Sequence, residues 1–463
     1  MAPRSDLPRK VLHTLMGLVA LAFRWFTFPM ALALTLGAVV HNRFVLPRLL
    51  RGVFLRPGEA ERQMSGGVVL YPLAVTGLVL VFHDRLELAA AAWALLAFGD
   101  GPAAIVGRAV RGPRLPWNPA KSWSGLLAFV VIGAPAAVLL LTWTRLGAPH
   151  NPAVSTSFAD VGTMGLVAGC TLAAVVAAWV ESADVPVDDN VRVVAAGALV
   201  LAVGAAVTPA GLSEAASRLE ILVWAVPAAG ALAGAAWALG GVGFGGALAG
   251  WVLATAVAWA MGPGGLAVLG LVVALTIGVT RLGRGRKTAL GLAEAAQGRR
   301  PASRVLANLG VGAVCAVLAV LTGAPETYSV MAVAALATAA FDTTASEVGQ
   351  AFGTRAFLVP SLRAAPPGAE GAVSWIGTAA GLAAATGVAG AAWAASVSGL
   401  GEGGSAGVAV VAAAAFVGST VESWIGGARP SGAAAHNDLL NLLNTLVGAG
   451  VAGWLWALVG GAA

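Results

Sequence analysis

The chain has 463 residues, 58% of them apolar and only 10% charged, and a mean hydropathy of +0.85. This composition excludes a water-soluble globular domain and indicates a polytopic membrane protein. The net charge of +6 fits membrane orientation and anionic lipid; with no stacking aromatics beside the arginines, nucleic-acid binding is excluded.

Apolar stretches of spanning length fall at 11–24, 26–42, 66–82, 87–107, 123–143, 161–181, 191–210, 219–239, 243–260, 264–280, 303–322, 328–350, 372–397, 405–424 and 438–459. The expected fold is therefore an all-α integral membrane protein of about fifteen transmembrane helices. Gly-Gly and Gly-Pro pairs between 240 and 265 predict a broken or re-entrant span there. With the N-terminus cytoplasmic, alternate loops hold all but four (Arg24, Arg85, Arg145 and Arg218) of the 27 Lys and Arg residues. A multi-pass protein of the bacterial cytoplasmic membrane, with its polar sites on the cytoplasmic face, is the expected localisation. Cys170 and Cys315 lie within predicted spans and read as free, buried thiols. Arg9-Lys10 precede an apolar stretch without a clear cleavage site, so no cleaved leader is expected.

The first span opens with Lys10, His13 and Gly17 on roughly one helix face. By themselves, Lys10 and His13 read more often as a snorkelling basic end and a satisfied histidine than as site residues. Asp100-Gly101-Pro102 lies in the fourth span, where Gly and Pro loosen the helix and a carboxylate joins freed carbonyls, a cluster suited to Mg²⁺ with substrate phosphates. The loop that follows carries Arg108, Arg111, Arg114, Asn118 and Lys121, then Ser122 and Ser124 at a helix start. Fixed positive charge, helix-start amides and small residues are what a polyphosphate site requires. Glu181-Ser182 and Asp188-Asp189-Asn190 complete this set.

The same order recurs downstream: Asp342 through Glu347 to Gly349, then Ser374-Trp375-Ile376-Gly377, Glu422-Ser423, and Asn437-Asp438. The chain holds only nine Asp, so matched acids inside apolar sequence predict two related sites, in halves 1–212 and 213–463. Basic candidates in the second half are Arg299, Arg300, Arg355, Arg363 and Lys287. A five-residue step sets Asp342 and Glu347 about 140° apart on a helix, so one of them is expected to face a metal, and Asp342 is the choice. Thr343, Thr344 and Ser346 serve equally well as helix-packing residues.

Arg9-Lys10 with His13, Asp100 with Ala103 and Gly107, Asn118 through Ser122 with Gly125, and Glu181-Ser182 followed by Asp188-Asp189-Asn190 resemble the dolichol kinase and phytol kinase family, related to CTP:phosphatidate cytidylyltransferases. The resemblance implies a kinase of long-chain isoprenoid alcohols using a nucleoside triphosphate, typically CTP. It makes Asp100 a Mg²⁺ ligand, Lys121 a phosphate clamp, and Glu181, Asp188, Asp189 and Asn190 further metal or hydroxyl-orienting groups. Ser124 stands where the cytidylyltransferases and dolichol kinases often have Glu, which favours the phytol-kinase branch. From about residue 219, the segments around Arg299-Arg300, Asp342 to Gly349, Ser374 with Gly377, and Asn437-Asp438 resemble the membrane family that contains the plant phytyl-phosphate kinases. Asp342 would be the metal ligand there, with Glu347, Glu422, Asn437 and Asp438 closing the site and Ser374 beside the phosphates.

The sequence thus reads as a fusion of a prenyl-alcohol kinase with a prenyl-phosphate kinase, working on prenyl alcohol, prenyl monophosphate, CTP and Mg²⁺ in the bilayer. A transporter or flippase of an anionic lipid is the second reading, since internal repeats, broken helices and intramembrane acids also describe transporters. The polar groups gather by the cytoplasmic loops rather than at the midplane, which favours an enzyme. A CTP-dependent cytidylyltransferase, the third reading, differs only in which phosphate is attacked.

Overall fold

The computed structural model describes residues 7–46, 66–110, 112–183, 188–289, 299–366, 368–428 and 434–460. Arg111, Arg429 and most of the basic loop between Arg43 and Arg62 lie outside them. The chain forms two compact units, Met1–Pro209 and Ala210–Ala463.

In the first unit, α1 (Leu7–Met16) tightens into a 3₁₀ segment, Gly17–Arg24. Helices α2 (Phe28–Val40) and α3 (Gly66–Val81) follow. The next span, α4 (Leu86–Ala109), contains a π-helical turn over Leu95–Asp100. A hairpin of β1 (Arg114–Leu115) and β2 (Asn118–Ser122) leads to α5 (Trp123–Arg145), α6 (Gly162–Ser182) and α7 (Asp189–Ala206).

Leading into the second unit is α8 (Pro209–Ala238), followed by α9 (Phe244–Arg281), the short α10 (Arg284–Ala289), α11 (Ala302–Leu321) and α12 (Pro325–Phe352). Three short strands, β3 (Ala356–Leu358), β4 (Ala364–Ala365) and β5 (Ala372–Val373), pair in the order β4-β3-β5. Helices α13 (Trp375–Ala394), α14 (Leu400–Ala428) and α15 (Ala434–Gly460) complete it.

The expected helical membrane architecture is found, with two refinements. Both small sheets were invisible to apolar periodicity, because they sit in Pro- and Gly-rich connections too short to carry an alternating pattern. Twelve helices among the described residues are long and apolar enough to cross a membrane, against fifteen expected. The difference lies in three places. The first expected span is α-helical only to Met16, the helix for 66–82 has 16 residues, and the expected spans 243–260 and 264–280 are both contained in α9. That element turns back at Gly262, whose φ of 67° only glycine adopts freely, followed by Pro263. Its C-terminal end returns to the turn that precedes it: Arg281 donates to the Leu239 carbonyl, and Gly241 faces Ile277. Two antiparallel crossings therefore share one hairpin.

Each unit is organised around one enclosed helix. In α4 every residue from Leu86 to Ala97 is buried, and in α12 so is every residue from Val330 to Phe341 except Met331. Both are Ala-rich, because small side chains let neighbouring helices approach where lipid supplies no hydrophobic drive. Helix α5 crosses α4 closely: a Cβ on Gly125 would stand 3.0 Å from the Ala103 carbonyl and 3.4 Å from Gly107 Cα. Gly125→Val is expected to lower stability by about 1–3 kcal/mol through overpacking. Gly278→Ala, with nothing within 4 Å, should leave thermal unfolding in detergent unchanged. Equal unfolding curves for the two variants would refute this packing.

Candidate functional site

In the first unit the polar residues converge where α1, α4, β2, α6 and α7 meet. Asp100 ends the π turn of α4, a local widening that frees backbone carbonyls. The Leu96 carbonyl there receives His13 Nε2 at 3.0 Å. Lys10 Nζ lies 2.9 Å from Asp100 Oδ2 and His13 Nε2 3.5 Å from it, so α1 brings both basic groups to the buried acid. Tyr71 fixes His13 from behind, ring against ring at 4.5 Å, and its hydroxyl accepts from Trp93 Nε1 at 2.8 Å. Sequence reasoning missed Tyr71; its only signal was rarity, since the chain holds two tyrosines.

Ser122 is the N-cap of α5 and accepts the Gly125 amide at 3.2 Å, which sets the residue before it, Lys121, at the mouth of the site. Lys121 pairs with buried Glu181 and lies 3.8 Å from Asp189, which in turn pairs with Arg192. Partial burial works against the Lys121 ammonium, but Glu181 first, then Asp189 and Asp100, outweigh it and hold its pKa above the ordinary lysine value. Its charge is therefore secure at neutral pH. The stability this lends is complete below the ordinary lysine pKa and is lost only as pH rises through the higher folded value. Asn118 donates to the Ser182 carbonyl at 3.0 Å and Trp117 to its hydroxyl at 3.0 Å, tying the hairpin to α6. Asp188 caps α7, accepting from the Asn190 amide at 3.0 Å and side chain at 2.8 Å. Arg108 is exposed at the end of α4.

The second unit has the corresponding pieces in the same order. Ser374 caps α13 and accepts the Gly377 amide at 3.2 Å, with backbone angles within a few degrees of those at Ser122. A Cβ on Gly377 would meet the Ala345 carbonyl and stand 3.2 Å from Gly349 Cα, as Gly125 meets Ala103 and Gly107. Here the polar end opens into a cavity of about 740 Å³ whose lining includes Arg300, Arg304, Asp342, Glu422, Asn437 and Asn441. Gly371, at φ 74°, holds the strand loop against the end of α14, where any Cβ would strike Gly427.

As the helix geometry required, Asp342 and Glu347 part company. Glu347 forms an ion pair with Lys287 at 2.5 Å, both buried, which commits that lysine internally. Asp342 instead hydrogen-bonds Glu422 and Ser419. Two bare carboxylates do not meet in this way; a proton or a metal cation must lie between them. Glu422 also accepts from Asn444, whose Oδ1 is buried with no partner. Positive charge comes from Arg300 and Arg304, both acting on Asp342, with Arg304 Nε 3.4 Å from Asp438. Arg299, Arg355 and Arg363 are exposed outside the cavity lining. Arg304, Ser419 and Asn444 escaped the sequence reading. Arg300, Arg304 and Asn308 recur at four-residue steps, a helical stripe that could have revealed the second arginine.

The two donor sets differ in their suitability for a resident Mg²⁺. At Asp100 the Lys10 ammonium already stands where the ion would be, so the expected assignment of Asp100 as metal ligand does not fit this geometry. At Asp342 a second carboxylate and the Ser419 hydroxyl stand together, oxygens of the kind Mg²⁺ takes.

Residues 227–449 match the family described as integral membrane protein DUF92. The chain is 37% identical over 209 residues to an uncharacterized membrane protein of Synechocystis sp., covering 44% of this chain and 78% of that one. It is 32% identical over 210 residues to a probable chloroplastic phytol kinase of Triticum aestivum (42% and 67% covered). It is also 32% identical over 201 residues to probable phytol kinase 2 of Glycine max, where it spans under two thirds of that relative, 64%. No solved structure matches. With one relative of unassigned role and several phytol kinases aligned over so much of their length, the chain belongs to a phytol kinase-like family of integral membrane proteins.

Proposed function

We propose that this protein is a prenol kinase with two active sites: the first unit phosphorylates a phytol- or geranylgeraniol-like alcohol, and the second adds a phosphate to the resulting prenyl monophosphate. The observation that carries this reading is the difference in cations between two otherwise corresponding polar ends. The first unit offers Lys10 and Lys121, each already balanced by Asp100 or Glu181, which suits an uncharged acceptor. The second adds the arginines Arg300 and Arg304 inside a cavity, which suits an acceptor that arrives with a phosphate. The phytol kinase relatives support the first step, and the DUF92 match over 227–449 supports a distinct second half. Matched caps and glycine crossings support descent of both halves from one duplicated design, joined by fusion.

In the first unit the prenyl tail stays among the helices while the hydroxyl reaches the polar end, on the cytoplasmic side where the nucleotide, CTP, is available. Lys121 clamps the transferring phosphoryl group. The alcohol oxygen bonds to the γ-phosphorus, the bond from that phosphorus to the bridging oxygen breaks, and the nucleoside diphosphate leaves. Asp189, beside Lys121, accepts the hydroxyl proton, whereas Asp188 is occupied in capping α7. Catalysis rests on positioning and charge neutralisation. In the second unit Asp342 and Glu422 would hold Mg²⁺, which supplies neutralisation of phosphate charge; Arg300 and Arg304 hold the monophosphate.

The test is reconstituted protein given radiolabelled CTP, ATP or GTP with several prenols, with mono- and diphosphate resolved. Labelled diphosphate is expected; transfer of a cytidylyl group or no transfer at all would refute the reading. Lys121→Ala should raise the nucleotide KM and lower kcat, since a phosphate clamp acts in ground and transition states alike. Weaker prenol binding with unchanged nucleotide kinetics would move Lys121 out of the phosphate site.

A further inference from the structure

We infer that the floor of the second unit's cavity, built by Phe341 and Phe416, is the subsite for the hydrocarbon tail of an amphiphilic phosphate, and that Phe341 discriminates between tails. This deepens the reading of the second unit as a prenyl-phosphate kinase and rests on it for the identity of the phosphate. The cavity of about 740 Å³ is of a size to hold one small amphiphile, and its two ends are unlike. Its cations, Arg300 and Arg304, enter around the start of α11. Its lining residues run from Phe341 to Gln350 on α12 and from Phe416 to Gly426 on α14, so on each helix the phenylalanine is the one farthest from the strand loop. The two rings meet edge to face, with centroids 6.2 Å apart. Phe341 is buried, but Phe416 is 43% exposed. From Phe416 to Ala428, the end of α14, is about 18 Å of a helix long and apolar enough to span the membrane. A side chain exposed at that depth faces hydrocarbon, so the floor opens sideways to lipid while the arginines stay at the loop end. An amphiphile has the matching parts: a phosphate for the arginines and an alkyl chain for the rings.

The first unit has the same two residue types at the corresponding crossing, exchanged between the helices. Phe341 precedes Asp342 as Gly99 precedes Asp100, and Gly381 follows the capping Ser374 at the same interval as Phe129 follows Ser122. A Cβ on Gly381 would stand 2.8 Å from the Phe341 ring, and one on Gly99 would stand 2.6 Å from the Phe129 ring. Each crossing therefore holds one ring and one glycine; two rings would clash there and two glycines would leave a void. The helix from which the ring comes decides what it can touch. Phe129 on α5 is completely buried in the core of its unit and serves packing. Phe341 comes from the helix that carries the acid, adjoins Asp342 and lines the cavity. The exchange thus gives the second unit a surface for reading a tail where the first unit has only a packed crossing.

The experiment is equilibrium binding of radiolabelled geranylgeranyl monophosphate to the purified full-length protein in detergent, without nucleotide. Competitors are geranyl monophosphate, dimethylallyl monophosphate and inorganic phosphate. In the wild type the ten-carbon competitor should be at least about tenfold stronger than the five-carbon one, the scale on which an apolar pocket separates chain lengths. Phe341→Ala should shrink that ratio at least about fivefold and leave competition by inorganic phosphate unchanged. Arg304→Ala should do the opposite, weakening all three competitors alike and preserving the ratio. Phe416→Ala, at an exposed position where folding is not at risk, should also shrink the ratio, and it serves where Phe341→Ala folds poorly. Phe129→Leu in the first unit should leave the ratio as it is. A ratio untouched by both phenylalanine changes in the second unit overturns the inference, as does an equal loss of inorganic phosphate binding or an absence of competable binding in wild-type protein. Tail-selective binding without phosphoryl transfer would refute only the kinase reading, and transfer with binding indifferent to the tail would refute only this subsite.

Discussion

Asp100→Asn is expected to reduce prenol phosphorylation by at least about a hundredfold, the scale on which a single preorganised charge acts in a water-poor site. The residue is buried, receives Lys10 at 2.9 Å, and lies close enough to Lys121 to act on its charge. Sequence alone suggests a change at constant volume that leaves folding intact; the structure corrects that expectation. Removing one member of a buried ion pair leaves the other charge uncompensated, at a cost of about 3–5 kcal/mol. Loss of activity in Asp100→Asn by itself would therefore be ambiguous. Adding Lys10→Met removes the stranded ammonium, so the double variant should recover most of the lost thermal stability and none of the turnover. Turnover restored along with stability would show that the pair only holds α1 against α4.

Much of the fold was legible because apolar length is a strong signal in membranes: the expected spans all find helical counterparts, including the two on either side of Gly262. The candidate sites were half legible. Asp100, Lys121, Glu181, Asp342 and Glu422 stood out as ionisable residues in apolar surroundings, which carry a high cost unless they have a role. Lys10 and His13 read more readily as a snorkelling end and a satisfied histidine until α1 was seen against α4, because a snorkelling lysine and a site lysine look alike in one dimension. Tyr71 gave no signal beyond its rarity, and Ser419 and Asn444 none, being single uncharged residues whose meaning depends on partners 22 to 77 positions away. Among the second-half cations Arg300 was legible and Arg304 was not. Arg355 and Arg363 follow Asp342 in the order in which Lys121 follows Asp100, but the loop carries them outward, and the charge is supplied from the start of α11 by Arg300 and Arg304.

The largest effect should appear when the two sites are separated by mutation. Asp342→Asn breaks the Asp342–Glu422 contact on α12 and leaves the first unit's Lys10–Asp100 and Lys121–Glu181 pairs untouched, since all four of those residues belong to the other compact unit. Such a variant should convert prenol to monophosphate and stall, with diphosphate reduced by at least about a hundredfold. Asp100→Asn should do the reverse, making little monophosphate from prenol but converting supplied monophosphate to diphosphate. Arg304→Ala should resemble Asp342→Asn with a higher KM for monophosphate, because it removes a cation facing the acceptor rather than a group at the reacting centre. The two single aspartate variants, reconstituted together in one membrane, should then restore diphosphate synthesis from prenol, provided the amphiphilic monophosphate diffuses between molecules in the bilayer. Diphosphate that forms only from prenol and never from added monophosphate would instead point to direct transfer between the sites. Loss of both steps in either single variant, with both proteins folded, would mean one composite site, and the reading of two kinases in one chain would fail.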